Sequence, residues 1–477
     1  MPPKGQRANL SARGRHIAQL IGSYDLRARF PQDLNADDGE LLGESLALLC
    51  GQRVLMGRDT RAESRKFQSS LVSGLHAAGC ETFDMGILPT PVIAYGCRLW
   101  GTTGLMVTPS HNPVGEVGLK GFSSTGEIWG NEWDLLRKRL RRGLLSGTTK
   151  PTPLPPDAKI PPTAIGLKKS YLGNFGRFQK SHLRVAVDPR GGATVGWASA
   201  ALRAVGASVF TVNDRHSANF FGESPEPTHS NIETLSTLVT KARADFGVTF
   251  DGDGDRVMFV NSLGDAVAPE VIALLLNGEN DGSPIVASSD VTSRLEDLTK
   301  VIRSPVGARN IVHAMKKSGV KMGFELSDHY YFQDAGFVSD GIGIACRVGT
   351  LSAQNGAMFI DATTSFGAWN RKMTSVSFST KKALSQRLAS LMQSWPSTAS
   401  KRQDGYILRG RGDSESVFCR VSNTEPKLRL VVETESRNRT TCLTREVLAR
   451  LNANQNEHDV TKGQNRLGGL RSSTISK

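Results

Sequence analysis

The sequence predicts an α/β protein with a smaller α+β domain at its C-terminal end. Through roughly the first 370 residues, short β-branched runs alternate with helical stretches, a rhythm typical of βαβ units and mostly parallel sheets. After about residue 370, "DGYILRGRGDSESVFCRVSNTEPKLRLVVETES" instead predicts antiparallel strands and turns, and "TREVLARLNAN" predicts a helix that follows them. A chain of 477 residues is too long for one hydrophobic core, so we expect about three or four domains.

The elements of the α/β part follow one another in a repeating order. "QRVLMGRDTR" predicts a strand and a loop, "RKFQSSLVSGLHAAGCETFDMGI" predicts a helix, a glycine cap and a strand, and "TGLMVTPSHN" predicts a strand that runs into a loop. The order returns in "LRVAVDPRGGATVGWASAALRAVGASVFTVN", in "ADFGVTFDGDGDRVMFVNSLGD" and in "SPIVASSDVTSRLEDL". Ligands bind at the carboxyl ends of such strands, so the loops after them are the candidate sites.

Changes in composition predict where the domains begin and end. The proline-rich stretch "KPTPLPPDAKIPPTAIG" is typical of a linker. Both chain ends are polar and basic, which is typical of disordered segments. The predicted limits are a disordered segment 1–16, domains at 17–160, 161–264, 265–370 and 371–460, and a disordered tail 461–477.

The net charge is strongly positive, at +14, which favours anionic ligands. The densest basic run, "LLRKRLRRG", is typical of a helix C-terminus closed by Gly143, where cations complement the helix dipole; contact with a polyanion is the alternative. No aromatic residues interleave with this run, so we expect no specific nucleic-acid partner. The longest apolar run, "VIALLLNG", is too short to span a membrane.

The six cysteines indicate a reducing compartment, because none of them forms a CxxC pair. The N-terminal "MPPKGQRANLSARGRH" lacks the apolar stretch of a secretory signal. We therefore expect a cytoplasmic protein, and we expect it to be a monomer.

The stretch "VTPSHNPVGEVGLKGF" places Ser110 beside His111 on a loop that Pro109 and Pro113 stiffen. One interpretation is a turn without chemistry, and another is an exposed loop that holds a nucleophile. A Ser-His hydrolase is disfavoured, because adjacent residues rarely orient their side chains toward each other and no G-x-S-x-G elbow surrounds the serine.

The segment "DGDGDR" follows the apolar strand "FGVTF". Asp251, Asp253 and Asp255 stand at alternate positions and can converge on one hard cation, as magnesium requires. Arg256 beside them can bind a phosphate, and an ordinary polar turn is the alternative. A calcium EF-hand is excluded, because Arg256 stands where its glycine belongs and Ser262 where its glutamate belongs.

Two further segments carry polar side chains suited to a phosphosugar. In "FELSDHYYF", Glu325, Ser327 and His329 stand at alternate positions and would point to one side of an extended strand, which suits sugar hydroxyls; a half-buried strand end is the alternative. The turn in "RVSNTEPKLRLVVE" is rich in donors for a phosphate dianion, and an ordinary Ser/Asn turn is its alternative. Its candidate ligands are Arg420, Ser422, Asn423, Thr424 and Arg429.

Together these motifs resemble those of the phosphohexomutases, the phosphomannomutase/phosphoglucomutase superfamily. "TPSHNP", "DGDGDR", "ELSDH" and "SNTEPKLR" stand in the family's order, and "YDLR" near the N-terminus is similar to a fifth motif. The resemblance spans roughly residues 18 to 455 and is strongest to bacterial phosphomannomutases. It implies three related α/β domains with mixed or parallel sheets, which carry the phosphoserine, the metal and the sugar loops, and a smaller phosphate-binding α+β domain, all around a central cleft.

The resemblance also implies an activity and a set of roles. The chain would interconvert mannose 6-phosphate and mannose 1-phosphate, with a hexose 1,6-bisphosphate as intermediate and activator. Magnesium would bind Ser110, which carries the phosphoryl group, and the three aspartates of "DGDGDR". The implied catalytic residues are Ser110, Lys120, His111, Arg27 and His329. The implied substrate-binding residues are Tyr24, Arg256, Glu325, Ser327, His329, Arg420, Ser422, Asn423, Thr424 and Arg429.

Two alternatives to this function stay open. Glucose or glucosamine phosphate is the alternative substrate, and a homologue that binds phosphosugars or polyanions without turnover is the alternative of another class. The chain departs from the family's usual residues at Val117, Ala308, Phe324 and Asp328. Asp328 adds a carboxylate to the sugar loop, and we expect its charge to oppose the substrate phosphates.

Overall fold

The computed structural model describes residues 4–22, 24–142, 163–175, 182–228, 231–278, 283–356, 358–367, 369–410, 415–422 and 426–452. The chain divides into two compact units, Met1–Ser365 and Phe366–Lys477. The predicted tail 461–477, most of the predicted linker, and Gly143 lie outside the described residues. No helix within those described ranges is long and apolar enough to cross a membrane.

The first part of the larger unit is built on a mixed sheet. Its elements are α1 (Lys4–Leu20), β1 (Leu26–Arg29), α2 (Ala36–Cys50), β2 (Arg53–Arg58), α3 (Ala62–Ala77), β3 (Glu81–Ile87), α4 (Thr90–Trp100), β4 (Thr103–Val107), β5 (Glu116–Phe122) and α5 (Asn131–Arg141). The strand order is β1-β5-β4-β2-β3, in which β3, β2 and β4 are parallel and β5 is antiparallel to both of its neighbours. The strand β4 is buried over most of its length, so its carboxyl end is held firmly.

The second part repeats this architecture. Its elements are α6 (Ala164–Gly173), β6 (Arg184–Asp188), α7 (Ala198–Ala204), β7 (Ser208–Thr211), α8 (Glu233–Ala242), β8 (Phe246–Phe250), β9 (Val257–Asn261) and β10 (Ala266–Val267), with a 3₁₀ turn at Phe220–Gly222. The strand order is β10-β9-β8-β6-β7, with β7, β6 and β8 parallel and β9 antiparallel to β8. All residues of β8 are buried, as its continuous apolar sequence predicts.

The third part is a further α/β layer. Its elements are α9 (Pro269–Gly278), β11 (Ile285–Ser288), β12 (Val301–Ser304), α10 (Ala308–Ser318), β13 (Met322–Phe324), β14 (Tyr330–Phe332), α11 (Gly341–Gln354) and α12 (Met358–Phe366), with a 3₁₀ turn at Ser293–Asp297. The strand order is β12-β11-β13-β14, and β14 runs antiparallel to an otherwise parallel set.

The smaller unit is built on an antiparallel sheet. Its elements are β15 (Asn370–Ser377), α13 (Lys381–Ser394), β16 (Ala399–Lys401), β17 (Tyr406–Arg409), β18 (Ser416–Val421), β19 (Lys427–Thr434) and α14 (Arg437–Asn452). The strand order is β15-β19-β18-β17-β16. Leucines of α13 and α14, among them Leu388 and Leu443, pack with β-strand residues such as Leu430 in one core. The predicted fold class, α/β followed by α+β, is confirmed.

The loops that the sequence singled out occupy the same place in each of the three α/β sheets. Each connects the last parallel strand to an antiparallel strand beside it: residues 108–115 join β4 to β5, residues 251–256 join β8 to β9, and residues 325–329 join β13 to β14. We call them the serine loop, the carboxylate loop and the sugar loop. They lie at the carboxyl ends of parallel strands, where the sequence predicted ligand sites.

The N-terminal segment differs from its prediction. Residues 4–16, expected to be disordered, lie in α1, which continues to Leu20. The helix is retained because Ile17 and Ala18 are buried in the core of the first sheet and Arg13 forms an ion pair with Asp38 at the start of α2. The limits predicted for the domains stay predictions.

A glycine on β5 is required for the serine loop to lie where it does. A Cβ atom on Gly118 would stand 2.4 Å from the carbonyl oxygen of Thr108 and 2.9 Å from Cα of Pro109. Gly118→Ala should therefore destabilise the protein by about 1–3 kcal/mol, the usual cost of overpacking. Denaturant unfolding followed by tryptophan fluorescence measures this change.

The matched control for this prediction is Gly173→Ala at the end of α6. A Cβ atom there meets nothing within 4 Å, so the substitution should leave the stability unchanged or raise it slightly. Equal unfolding midpoints for the two variants would contradict the packing argument.

Candidate active site

Ser110 lies at the carboxyl end of β4 in a left-handed backbone conformation, with φ of 56°. Only 2% of the residue is exposed, and its hydroxyl donates a hydrogen bond of 2.6 Å to Oδ2 of Asp251. The expectation of an exposed loop is therefore wrong. The carboxylate loop covers the serine so closely that a Cβ atom on Gly252 would stand 2.7 Å from the carbonyl oxygen of Ser110.

Side chains from the first sheet hold the serine loop. The hydroxyl of Thr108 accepts a 2.9 Å hydrogen bond from the backbone N–H of Ser110 and donates one of 2.9 Å to Asp59. Arg27 donates through Nη1 to the carbonyl of Pro109 at 3.0 Å and to the side-chain oxygen of Asn112 at 2.5 Å. Arg27, which resemblance alone marked as catalytic, thus supports the serine loop from β1.

The three aspartates of the carboxylate loop converge as the sequence predicted. Oxygen atoms of Asp251, Asp253 and Asp255 all lie within 4.8 Å of one another. Asp251 and Asp253 are buried, and Oδ1 of Asp253 has no hydrogen-bond partner among the described residues. A set of close carboxylates with one buried, unsatisfied oxygen fits a hard divalent cation. The aspartates could hold such an ion together with Ser110 Oγ.

Lys120 projects from β5 into this cluster. Its ammonium donates hydrogen bonds to Oδ2 of Asp253 at 2.7 Å and to Oδ2 of Asp255 at 2.6 Å. Burial alone would lower the pKa of Lys120, but the two carboxylates raise it above the ordinary value. The ammonium form of Lys120 is therefore favoured in this arrangement.

The pKa values of Asp251 and Asp255 are shifted in opposite directions. Burial, followed by the charges of Asp255 and Asp253, raises the pKa of Asp251 well above its usual value. Burial acts in the same direction on Asp255, but Lys120 and His329 outweigh it, so the pKa of Asp255 lies well below its usual value. The Ser110 hydroxyl thus faces the carboxyl group whose pKa is raised.

His111 and Arg256 form a contact between the serine and carboxylate loops. Nη2 of Arg256 donates to Nδ1 of His111 at 2.8 Å, and Nη1 binds Glu226 at 2.7 Å. Burial, Arg256 and Arg27 lower the pKa of His111 far below its usual value. The imidazole is therefore neutral, and its Nδ1 lone pair is already occupied.

The sugar loop is a turn and not the extended segment that was expected. Glu325 and His329 close it through a 3.0 Å backbone hydrogen bond. The three predicted side chains nevertheless converge, because Nδ1 of His329 lies 2.9 Å from the Ser327 hydroxyl and 3.6 Å from Oε2 of Glu325. Nε2 of His329 faces Oδ1 of Asp255 at 3.3 Å, so the sugar loop adjoins the carboxylate loop.

Glu325 and Tyr24 lie around the loop that precedes α10. Glu325 is buried and accepts hydrogen bonds from the backbone N–H of Gly307 at 2.6 Å and from the hydroxyl of Tyr331 at 2.8 Å. Cε1 of Tyr24 lies 4.0 Å from the position of a Cβ atom on Gly307. Burial and the charge of Asp25 raise the pKa of Tyr24, so it is a neutral hydroxyl at this edge.

Asp328 lies in the turn of the sugar loop. It adopts φ of 62°, a region in which glycine is unstrained, and its Oδ1 accepts a 3.4 Å hydrogen bond from the hydroxyl of buried Tyr330. Its carboxylate thus contacts a core side chain, and the expected effect of its charge on the substrate phosphates stays a prediction.

Three of the predicted phosphate ligands, Arg420, Ser422 and Arg429, lie on or directly after strands β18 and β19 of the smaller unit. Arg420 and Arg429 are directly opposite each other in the register of the two strands, and Nη1 of Arg420 lies 3.8 Å from Asp404. Like charges across a strand pair repel, which favours an anion between them. Ser422 is buried at the start of the turn, and Asn423 and Thr424 lie outside the described residues.

Several residues of the site were not predicted from the sequence. Asp59 and Arg61 follow β2 and form a fully buried ion pair, and Thr90 donates its hydroxyl to Asp253. The signal for the first two was present, because "GRDTR" stands at the carboxyl end of a parallel strand, next to β4 in the sheet. Thr90 carried no such signal, because its partner is 163 residues away.

Family models of consecutive domains match this chain. Domain I of phosphoglucomutase/phosphomannomutase, an alpha/beta/alpha domain, matches residues 18–134, domain II matches residues 168–264, and domain III matches residues 266–365. The matched ranges together cover more than half of the chain and contain the three loops of the site.

Similar proteins point to the same family. A phosphoglucosamine mutase of Rhodococcus jostii (strain RHA1) is 28% identical over 441 residues, which are 87% of this chain and 95% of that protein. A phosphomannomutase/phosphoglucomutase of Pseudomonas syringae pv. tomato (strain ATCC BAA-871 / DC3000) is 29% identical, with 87% and 91% covered. The crystal structure of a phosphoglucomutase/phosphomannomutase family protein from Burkholderia thailandensis shares the fold, with a TM-score of 0.75 at 21% identity over 92% of this chain and 98% of that one.

Removing one carboxylate should weaken cation binding at the cluster. Asp253→Asn is expected to raise the dissociation constant of Mg²⁺ by roughly 10- to 100-fold, because a hard cation is held mainly by charge. Isothermal titration calorimetry without substrate measures it. Asp214→Asn is the control, since that carboxylate bonds to Gly196 and Ser199 outside the cluster; equal losses in both variants would refute the assignment.

Removing the lysine should have the opposite effect. Lys120→Met deletes the ammonium that now shares Asp253 and Asp255, so the carboxylates should bind Mg²⁺ about tenfold more tightly in the same titration. A control is Lys316→Met, because Lys316 pairs with Glu127 at 2.7 Å, away from the aspartates. Weaker binding to the Lys120 variant would show that the lysine organises the cluster and does not compete for it.

Proposed function

Because the chain belongs to the phosphoglucomutase/phosphomannomutase family, we propose that it is a phosphohexomutase that works through a phosphorylated Ser110. The observation that carries the proposal is the contact of the Ser110 hydroxyl with the carboxylate cluster, at 2.6 Å from Asp251. Phosphoryl transfer depends mainly on positioning and charge neutralisation, and this serine is fixed beside a cation site and the ammonium of Lys120.

The proposed reaction has two phosphoryl transfers. In the first, the bond between phosphorus and Ser110 Oγ breaks, and the free hydroxyl of a hexose phosphate forms a bond to phosphorus and loses its proton. Ser110 Oγ takes up a proton, and the resulting hexose 1,6-bisphosphate turns over. In the second transfer the bond between its other phosphorus and the sugar oxygen breaks, Ser110 Oγ loses its proton and bonds to that phosphorus, and the sugar oxygen takes up a proton. A bisphosphate from solution would also act as activator, because it can phosphorylate an enzyme that has lost its phosphate.

Each side chain at the site has a role in this proposal. Magnesium, when bound by Ser110 and the three aspartates, would neutralise charge on the transferring phosphoryl oxygens. Lys120 and Arg256 would add positive charge to the same region. We propose Lys120 or His329 as the group that takes the proton of the sugar hydroxyl, because each places a nitrogen beside Asp255.

Substrate binding is assigned to the sugar loop and to the β18–β19 hairpin. Ser327 and His329 would contact sugar hydroxyls, while the buried Glu325 would orient them and the loop before α10, near Tyr24. The phosphate that does not react would bind to the hairpin donors, which we propose are Arg420, Ser422, Asn423, Thr424 and Arg429.

We propose mannose phosphates as the substrates, because "ELSDHYYF" and "SNTEP" resemble the bacterial phosphomannomutases. Glucosamine phosphate is the second candidate, favoured by the similarity to phosphoglucosamine mutases such as that of Rhodococcus jostii. Initial rates with the 1-phosphates of mannose, glucose and glucosamine, each assayed with magnesium and a catalytic amount of bisphosphate, test the choice. A higher kcat/KM for glucosamine 1-phosphate than for mannose 1-phosphate would overturn it.

Loss of the serine hydroxyl should abolish turnover. Ser110→Ala removes the only atom proposed to carry the phosphoryl group, so mutase activity should fall by at least about 10³-fold, and intact mass should show no phosphate. Ser123→Ala is the control, because that hydroxyl bonds to Thr125 on an exposed loop. Circular dichroism verifies that both variants are folded.

The phosphorylation state separates this proposal from that of a binding protein without turnover. The wild-type protein should lose the mass of one phosphate on phosphatase treatment and regain it with a hexose 1,6-bisphosphate. Phosphosugar binding by a protein that never takes up phosphate would favour the alternative function.

A further inference from the structure

We propose that Arg61 is a positioning residue for phosphoryl transfer: its guanidinium holds the backbone of the serine loop so that the Ser110 hydroxyl faces the carboxylate loop. The inference rests on the proposed function of Ser110. It goes beyond that function, because Arg61 touches neither the carboxylates of the cluster nor the serine hydroxyl.

The guanidinium of Arg61 is completely buried and donates hydrogen bonds to three acceptors. Nη1 donates to Oδ2 of Asp59 at 2.5 Å, and Nη2 donates to the carbonyl of Ser110 at 3.0 Å and to that of Asn112. Asp59 in turn accepts the hydroxyl proton of Thr108, whose oxygen receives the N–H of Ser110. Arg61 thus holds the carbonyl of Ser110 directly, and Asp59 holds its N–H through the hydroxyl of Thr108.

These hydrogen bonds are important because Ser110 adopts a backbone conformation that serine does not favour. With φ of 56°, the residue lies in the left-handed region, which is disfavoured for a side chain with a Cβ atom. Such a conformation persists only where the surroundings enforce it. A return to a negative φ would rotate the neighbouring peptide groups, and the carbonyl of Ser110 would then leave Nη2 of Arg61.

Arg61 also connects the serine loop to the second sheet. Its guanidinium lies over the ring of Phe220, 4.8 Å from the ring centre. The same ring packs close to Gly252 in the carboxylate loop: a Cβ atom, if residue 252 had one, would lie 3.3 Å from the ring. Arg61 therefore stands between the two loops that bring Ser110 Oγ and Asp251 together, so its loss should change their separation and not only loosen a core.

The experiment compares Arg61→Met with a matched variant, Arg190→Met. Arg190 is also buried, follows a strand in the same way, and donates to the backbone carbonyls of Asn231 at 3.1 Å and Ser224 at 2.7 Å. It does not bind the serine loop. Both variants lose a buried guanidinium that binds carbonyl groups, but only one of them loses the contact with Ser110.

The measurements are kcat, KM, thermal melting temperature and the dissociation constant of Mg²⁺. For Arg61→Met we expect kcat to fall by about 100-fold, the effect of a small misplacement of a reacting group, with KM within about threefold of wild type. Mg²⁺ binding should weaken by less than about tenfold, because the three carboxylates that supply most of the charge remain. Arg190→Met should lose a comparable amount of thermal stability and retain kcat within about threefold. Arg61→Lys, which keeps the charge but not the forked donors, should restore part of kcat.

Several outcomes would overturn the inference. An unchanged kcat in Arg61→Met, or an equal loss of kcat in both methionine variants, means that Arg61 only stabilises the fold. If Arg61→Met does not fold, Arg61→Lys decides, and full activity in that variant contradicts the proposal. An inactive wild-type protein contradicts the proposed function, and the inference falls with it, whereas an active wild type with an equally active Arg61→Met contradicts the inference alone.

Discussion

The compensation of buried negative charge is the constraint on which this site depends. Asp251, Asp253 and Asp255 lie within 4.8 Å of one another with little access to water. At 4 Å, like charges repel by about 4 kcal/mol even at an effective dielectric constant of 20. Lys120 from the first sheet places an ammonium against Asp253 and Asp255 and offsets part of this repulsion. These ion pairs connect the first sheet to the second.

The three α/β sheets satisfy this requirement because each presents its loop at the same topological position. The serine, carboxylate and sugar loops each follow a parallel strand and lead into an antiparallel neighbour. Contacts between loops then join the sheets: Ser110 with Asp251, Arg256 with His111, and His329 with Asp255. One architecture used three times brings a hydroxyl, a carboxylate cluster and an imidazole to one place.

The fold class and the chemical type of each loop could be predicted from the sequence, because both are local. The alternation of apolar strands and helices predicted β4, β8 and the loops that follow them. The aspartates at alternate positions predicted the cation site. Burial of Ser110 could not be predicted, since it results from Gly252 packing against the serine carbonyl, and these residues are more than 140 positions apart. The charge state of Lys120 likewise depends on partners in another sheet.

The sugar loop shows how a local rule can give the right residues for the wrong reason. Alternation in an extended strand placed Glu325, Ser327 and His329 on one side, yet the segment is a tight turn in which Asp328 takes a positive φ. Convergence comes instead from closure of the turn, where the N–H of Glu325 bonds to the carbonyl of His329. That closure directs His329 to Asp255 and leaves the carboxylate of Asp328 with the hydroxyl of Tyr330.

The backbone conformation of the turn also explains why Asp328 is tolerated at a position where the family usually has another residue. A left-handed residue at the tip of a turn is tolerated by glycine, and after glycine by asparagine and aspartate, whose short polar side chains bond locally. Asp328 meets this requirement and adds a bond to Tyr330. Aspartate at this position is therefore compatible with the conformation that the turn requires.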